Sequence, residues 1–291
     1  MNARVEAGIP PGPHTAPIEG LSRVDVQRHV GLHQHSDQDW VIDEAPVALV
    51  YNGVSHVVML ATPTALEDFA VGFSLSEGLL HGVDELRDLR VEPHLSSSRH
   101  GPGYSVHLEV SPRAFSRFKD RRRQLAGRTG CGLCGIDSLQ TFEDTLPVRR
   151  VQGPLWDASH AVRGALSRLP AHQALQAHSG ACHAAAWATV EGELSCVRED
   201  VGRHNALDKL LGALALAGQL PMSSDGSNAV GSGLVVVSSR ASHEMVSKCV
   251  RVGVGTLGAI SAPTSLAVSM ARRQGLRLYG FCRGDAVVAY G

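Results

Sequence analysis

Two thiols three residues apart are the sharpest chemical feature of this sequence, in Thr129-Gly130-Cys131-Gly132-Leu133-Cys134-Gly135. At that spacing two cysteines can share a metal ion, cycle as a dithiol or supply a reactive nucleophile. Zinc needs about four ligands. The chain has no second C-x-x-C, so Cys182-His183 would have to complete such a site in space. A thioredoxin-like role places the motif at the start of a helix after a strand. Here it is bracketed by glycine and follows an arginine cluster, a poor match to that context. The glycines make the segment a loop or turn. The remaining chemistry is a loop-borne thiolate, favoured by Arg128 and, if the loop folds back, by Arg121 to Arg123. Taken locally, the arginine run reads first as a solvated helix face.

Other polar residues gather where strands give way to helices. Ser238, Ser239 and Arg240, then Ser261 and Thr264, then Arg283 and Gly284 each follow an apolar run in the C-terminal half. Open α/β sheets bind ligands beyond the carboxyl ends of their strands, and helix N-termini there attract phosphates. These residues are therefore candidates to line one nucleotide or pyrophosphate site. The competing reading is that they are ordinary caps and turns. Of 15 histidines, His33 and His35 read as exposed, whereas His183, His204 and His243 lie in dense polar segments at strand or helix ends. Cys249 falls on an apolar helix face and reads as core. For Cys182, Cys196 and Cys282 burial is the default. No G-x-G-x-x-G follows a strand and no G-x-x-x-x-G-K-[ST] occurs, which argues against dinucleotide and Walker-type NTP binding.

The elements that must position these residues follow from patterning. Ala45–Val50 and Val54–Leu60 flank Asn52-Gly53, the strongest short hairpin signal. Thr62-Pro63-Thr64 opens a helix with capping-box spacing from Thr64 to Glu67, and Leu66, Phe69, Ala70, Phe73 and Leu80 share a face. A strand follows at Tyr104–Val110. Farther on, Ala184–Val190 and Leu194–Val197 flank Glu191-Gly192 as a hairpin. Arg198–Asn205 leads into a helix over Ala206–Ala217. Strands at Leu234–Val237, Val254–Ile260 and Leu276–Cys282 alternate with helices, Pro263 being placed to start one. That alternation predicts an α/β fold with a largely parallel, helix-covered sheet.

Composition bounds the function. The chain has 291 residues, 43% hydrophobic and 19% charged, enough for a packed core and against wholesale disorder. Lys plus Arg (27) nearly balance Asp plus Glu (28), so no global charge draws the chain to nucleic acid or an anionic membrane. No apolar run approaches the roughly 20 residues that span a bilayer, and the start lacks the apolar core of a secretory signal. A cytoplasmic protein with reduced thiols is expected.

The segments Arg128–Gly135, Gly180-Ala-Cys-His183-Ala-Ala, Arg198-Glu-Asp-Val-Gly-Arg-His-Asn-Ala-Leu-Asp-Lys209, Ser238-Ser-Arg-Ala-Ser-His-Glu-Met245, Ser261-Ala-Pro-Thr-Ser-Leu-Ala-Val268 and Gly280-Phe-Cys-Arg-Gly-Asp285 occur in one chain. Through them, from about residue 40 to its end, it resembles the formate dehydrogenase accessory sulfurtransferase family (FdhD). The resemblance implies a sulfur carrier. It would accept persulfide sulfur from a cysteine desulfurase and pass it to the molybdenum cofactor, bis(molybdopterin guanine dinucleotide), before insertion into formate dehydrogenase. It implies a homodimer whose C-terminal domain is a cytidine-deaminase-like three-layer α/β/α unit beside a smaller N-terminal α+β domain. By motif, Cys131 matches the persulfide-bearing cysteine and Cys134 its partner. Phe281, Cys282, Arg283, Gly284, Asp285 and Ala286 match the segment that contacts the guanine dinucleotide.

The organisation expected is a disordered leader over 1–20, an α+β domain over 21–127, a mobile C-x-x-C loop over 128–145 and the cofactor-binding domain over 146–291. Zinc deaminases need H-x-E followed by P-C-x-x-C; His183-Ala184-Ala185 lacks the Glu and the C-x-x-C lies before it without Pro, so deamination is not expected, and with no second C-x-x-C no structural metal is expected. A non-catalytic cofactor chaperone is the alternative reading.

Overall fold

The computed structural model describes residues 18–94, 102–125, 157–220, 233–284 and 286–290, the side chains of 121–125 and 283 excepted. Three sheets and seven α-helices are formed by these residues. The expected leader up to residue 17, the C-x-x-C loop over 128–145 and Asp285 lie outside them.

The chain first forms a two-stranded ribbon, β1 (Leu21–Val30) and β2 (His33–Ile42), antiparallel over ten residues. The sequence reading missed it, because Gln, Arg, His and Asp alternate there with little apolar content. At its base Leu21, Trp40 and Ile42 pack against Leu175 and Cys182, together with Ile18 from inside the predicted leader.

Next comes a four-stranded sheet, in the order β4-β3-β6-β5. Its strands are β3 (Ala45–Tyr51), β4 (Val54–Ala61), β5 (Leu86–His94) and β6 (Gly103–Val110). The Asn52-Gly53 hairpin is as expected: both residues have positive φ, 46° and 77°, as a tight right-twisted turn requires. One face of this sheet carries α1 (Leu66–Ser76) and α2 (Pro112–Leu125). Tyr51 ties all three together, stacking on Phe118 of α2 at 5.0 Å and sharing a 2.7 Å hydrogen bond with Ser74 of α1.

The C-terminal part is a six-stranded sheet in the order β12-β11-β10-β9-β7-β8. It consists of β7 (His183–Thr189), β8 (Leu194–Asp200), β9 (Gly233–Val237), β10 (Thr256–Ala259), β11 (Arg277–Arg283) and β12 (Ala286–Ala289). The expectation of a largely parallel sheet needs correction. Only β9, β10 and β11 run parallel to one another. β7–β8 and β11–β12 are tight hairpins, which can only pair antiparallel, and β9 pairs antiparallel with β7.

Strand alternation sends Leu234 and Val236 to one face and Val235 and Val237 to the other. The first face is covered by α3 (Ser159–Arg168), with α4 (Ala174–Ser179) following it. The second is covered by α5 (Arg203–Leu216), α6 (His243–Arg251) and α7 (Ser265–Gln274). Helix α5 lies between this sheet and α1, so nearly every one of its side chains from Asn205 to Ala215 is buried. One continuous apolar cluster therefore runs from the four-stranded sheet through α1 and α5 to the six-stranded sheet. No helix among the described residues is long and apolar enough to cross a membrane.

Candidate functional site

Sheet order brings the sequence-selected polar segments to one rim. Adjacent β9, β10 and β11 are parallel, so Ser238–Ser242, Ile260–Thr264 and Phe281–Gly284 all emerge at the same end of the sheet. β7 runs the other way, and it begins at that end with His183. Backbone bonds stitch the rim together. The Ile260 N–H donates to the Val237 carbonyl (3.1 Å), Thr264 N–H to Ala241 (3.0 Å) and Phe281 N–H to Ser261 (3.2 Å).

The serine and threonine hydroxyls are largely occupied by the fold. Ser238 Oγ accepts the Ala184 N–H at 2.8 Å, and Ser239 Oγ donates to the Arg240 carbonyl at 3.0 Å. Thr264 Oγ1 accepts the Ala267 N–H at 3.2 Å and caps α7. Pro263 thus precedes the cap and does not occupy the first helical turn. For these three side chains, the cap-and-turn reading describes what the hydroxyls do.

What the rim presents is cationic and aromatic. Helix α5 opens with Arg203 and His204, and α6 opens with His243 and Glu244. His204 Nε2 lies 2.6 Å from Glu244 Oε2, bridging the two helix N-termini. That contact, with the His204 and Arg203 charges beside it, holds the Glu244 carboxyl below its ordinary range against burial, which raises it. His183 stands near Arg203 and His204. Burial, then the Arg203 charge, lowers its pKa. Burial does the same for His243. Neither α5 nor α6 has a side-chain cap at its N-terminus, so the positive ends of both helix dipoles face this rim.

At the far side stands Phe281. Its φ is 52°, a left-handed conformation rare for a bulky residue, and the ring is 47% exposed. The strand register shifts between Gly280 and Arg283, and this bulge turns Phe281 outward while Cys282 turns into the core. Cys282 is buried, and burial pushes its thiol up to about 11. Ala286, the last residue of the matched segment, is exposed at the start of β12.

Sequence reasoning missed what the long Arg198–Lys209 run does structurally. Asp200 ends β8 and Lys209 sits two turns into α5, 2.8 Å apart and both fully buried. Asp200 also accepts the N–H of Thr62 (3.0 Å) and of Gly202 (2.8 Å), and the Asn205 amide (3.0 Å). Lys209 Nζ donates to the Thr62 carbonyl at 2.9 Å. Half of this motif thus clamps the β4–α1 connection onto the six-stranded sheet. A charged pair nine residues apart across a strand, turn and helix has no periodicity that would reveal it. Arg198, at the motif's start, pairs with Asp68 of α1 at 2.7 Å.

The remaining cysteines behave as expected of buried thiols. Cys249 is fully buried in α6, its thiol pushed by burial to about 12, and Cys182 is buried with its thiol raised to about 11. Cys196 is half-buried, and burial raises it as well. Cys131 and Cys134, the Asp285 position and the Arg283 side chain fall outside the described residues. Among the described residues no group of three or more His, Cys, Asp or Glu side chains is arranged to hold a metal ion.

Comparison with known proteins identifies the family. The FdhD/NarQ family model matches residues 42–291. A sulfur carrier protein FdhD from Cupriavidus necator is 51% identical over 256 residues, 87% of this chain and 82% of that protein. Another, from Chromobacterium violaceum, is 46% identical over 278 residues, 95% and 97% of the two chains. The fold is similar to the crystal structure of a proposed formate dehydrogenase accessory protein from Desulfotalea psychrophila. The TM-score is 0.65 at 19% identity, over 93% of this chain and 96% of that one. The family match over most of the chain and the high identity to full-length relatives are decisive: the chain belongs to the FdhD/NarQ family.

Proposed function

We propose that this protein is a cytoplasmic sulfur carrier that takes sulfur as a persulfide on Cys131 from a cysteine desulfurase. It delivers that sulfur to the molybdenum cofactor of formate dehydrogenase, held as substrate at the rim of the six-stranded sheet. The carrying observation is the pairing of a glycine-flanked C-x-x-C with relatives bearing the name sulfur carrier protein, in a chain where Cys182, Cys249 and Cys282 are buried and Cys196 is half-buried. Persulfide transfer needs an accessible thiolate. Cys182, Cys249 and Cys282, with thiols at about 11 to 12, are poor candidates. By resemblance to the family, Cys131 is taken as the acceptor, with Cys134 assisting acceptance or release.

For the cofactor, the rim supplies the Arg203 guanidinium, the His183 and His204 imidazoles and two helix N-termini without side-chain caps, suited to phosphates. The Phe281 ring stands free to stack on a guanine base. By resemblance to the family, Phe281–Ala286 is taken to contact the guanine dinucleotide. The C-terminal part, with α3 on one face and α5–α7 on the other, agrees with a deaminase-like three-layer unit, and the working form is taken to be a homodimer.

The test is intact mass and peptide mapping after incubation with a cysteine desulfurase and cysteine. A gain of one sulfur atom on Cys131, reversed by reductant and absent in Cys131→Ala, supports the carrier role. A Cys131→Ala variant that still activates formate dehydrogenase, while guanine nucleotide binding persists, turns the reading to a non-catalytic cofactor chaperone.

A further inference from the structure

Helix α2 carries a charge that its own fold does not call for. Its fourteen residues hold six of the chain's 27 basic side chains and one of its 28 acidic ones, +5 on a chain with net charge −1. One face is committed to the core, where Ala114 and Phe118 are buried and Phe118 stacks on both Tyr51 and Phe115. Arg117 is committed as well, to the Glu85 carboxylate. Arg113, Ser116, Lys119 and Asp120 are exposed, and Lys119 Nζ rests 4.9 Å over the Phe115 ring. Arg121, Arg122 and Arg123 lengthen the basic run through the last turns.

Helix stability does not select this pattern. Cations favour a helix C-terminus, but Arg113 lies in the first turn, where the dipole opposes it and where no acidic residue is found. Lys119 and Arg123 are like charges at i,i+4 spacing, which destabilises a helix, while Arg117 is excepted by its pairing with Glu85. A surface that keeps such repulsion gains by meeting opposite charge. The opposite charge is compact. A fourteen-residue helix is roughly 21 Å long, and an extended polyanion running past it would meet a remainder of the chain that is net negative.

Position selects the partner. Cys131 is six residues beyond Leu125, the end of α2. Whatever path the chain takes, six residues span at most about 20 Å. A protein seated on α2 is therefore within reach of the sulfur-accepting thiol. We infer that the solvent side of α2 is the docking surface for an acidic face of the sulfur-donating protein, an inference that rests on the persulfide reading above. Docking there raises the encounter rate and leaves the transfer step to Cys131.

The test is the rate at which a bacterial cysteine desulfurase, given radiolabelled cysteine, loads sulfur onto the full chain as desulfurase concentration is varied. Arg113→Glu with Lys119→Glu is expected to raise the half-saturating concentration about tenfold at an unchanged plateau. Arg113→Lys with Lys119→Arg is expected to match the parent. Sodium polysulfide has no protein surface, and it should load the parent and the charge-reversed chain alike. Parental half-saturation should also rise with salt. A charge-reversed chain with the parent's half-saturation overturns the docking surface, as does one that loads equally poorly from polysulfide. Donor loading that stays at the parental level while binding to anionic vesicles or RNA is lost overturns it too, assigning the helix to another partner. If Cys131 loads from neither donor in the parent chain, the persulfide reading itself falls.

Discussion

Asp200 and Lys209 form a 2.8 Å ion pair with neither side chain exposed to solvent, and the pair joins the two large sheets. Asp200 holds the backbone of Thr62 and Gly202, and Lys209 holds the Thr62 carbonyl. Burial lowers the Lys209 pKa and Asp200 pulls it back. Four elements that must keep register for the rim to form therefore meet at one node: β4, α1, β8 and α5.

Removing one partner should be costly. Lys209→Met leaves a carboxylate buried without its cation and is expected to lose about 3–5 kcal/mol in urea unfolding. Replacing both partners by apolar residues often restores stability where a pair stands alone. Here Asp200→Leu with Lys209→Met should remain destabilised, because two backbone N–H groups lose their acceptor. A double variant as stable as the parent would show that the backbone contacts contribute little.

The close approach of α1 and α5 has its own signature. A Cβ on Gly72 would lie 1.7 Å from the Asp208 carbonyl oxygen, and one on Gly212 would lie 1.8 Å from that of Asp68. Both contacts are to backbone, so no rotamer change relieves them. Gly72→Ala and Gly212→Ala are each expected to cost about 3 kcal/mol or more. They should also weaken the neighbouring buried Asp208–Lys248 bridge of 3.0 Å, because that bridge spans α5 and α6. Thermal unfolding of the two variants checks this, and a shift below about 2 °C in either would contradict it.

How much of this was legible depends on whether a signal was local. Asn52-Gly53 announces its turn because φ > 0 at two successive positions is a property of those residues. Val235 and Val237 announce a buried strand by their type. The Thr64–Glu67 capping box misled: Ala65 is the N-cap, with φ 49° and no side-chain cap, and the Thr64 hydroxyl lies 3.4 Å from Lys209 Nζ. A tertiary partner 145 residues away outcompeted the local cap. The same holds at the site. Ser238, Ser261 and Arg283 read as strand ends from the sequence alone, but the His204–Glu244 bridge depends on two helices separated by a whole strand crossover, which no spacing encodes.

Acid should destabilise the rim before the rest of the fold. Burial lowers the pKa of His183 and of His243 below the ordinary 6.5. The unfolded chain therefore binds protons near pH 6.5 while the folded one does not, and stability falls as pH drops through 6.5 toward the folded values. Glu244 acts lower: its depressed pKa gives stability above about pH 4.5 that is lost on further acidification. The unfolding midpoint should fall from pH 7.5 to 5.5, and His183→Gln should flatten that slope. An unchanged slope would mean that His183 is equally easy to protonate in both states.

Thiol labelling tests the proposed carrier role of Cys131 and Cys134 against the buried cysteines. Burial holds Cys182 and Cys282 at about 11 and Cys249 at about 12, so each is protonated and shielded at neutral pH. Iodoacetamide at pH 7.5 is expected to modify Cys131 and Cys134 in the native protein and to reach Cys182, Cys249 and Cys282 only after denaturant is added. Peptide mapping reads the outcome. Native labelling of Cys282 at the rate of Cys131 would make Cys282 a candidate second sulfur acceptor.

Phe281 offers the sharpest test of the rim, because its conformation and exposure both run against stability. A left-handed φ in a bulky residue costs about 1–2 kcal/mol, and a half-exposed ring recovers little of that by burial. Glycine at this position removes the strain but adds about 0.5–1 kcal/mol of backbone entropy cost. Phe281→Gly should therefore unfold within about 1 kcal/mol of the parent. Base stacking on an aromatic ring is worth about 1–3 kcal/mol, so guanosine diphosphate affinity should fall roughly tenfold or more in the same variant, with Phe281→Trp retaining it. Calorimetric titration of the three proteins decides. Equal affinity in all three would mean that the ring is turned outward for something other than a base, and the guanine end of the cofactor would have to be sought nearer Arg203 and His204.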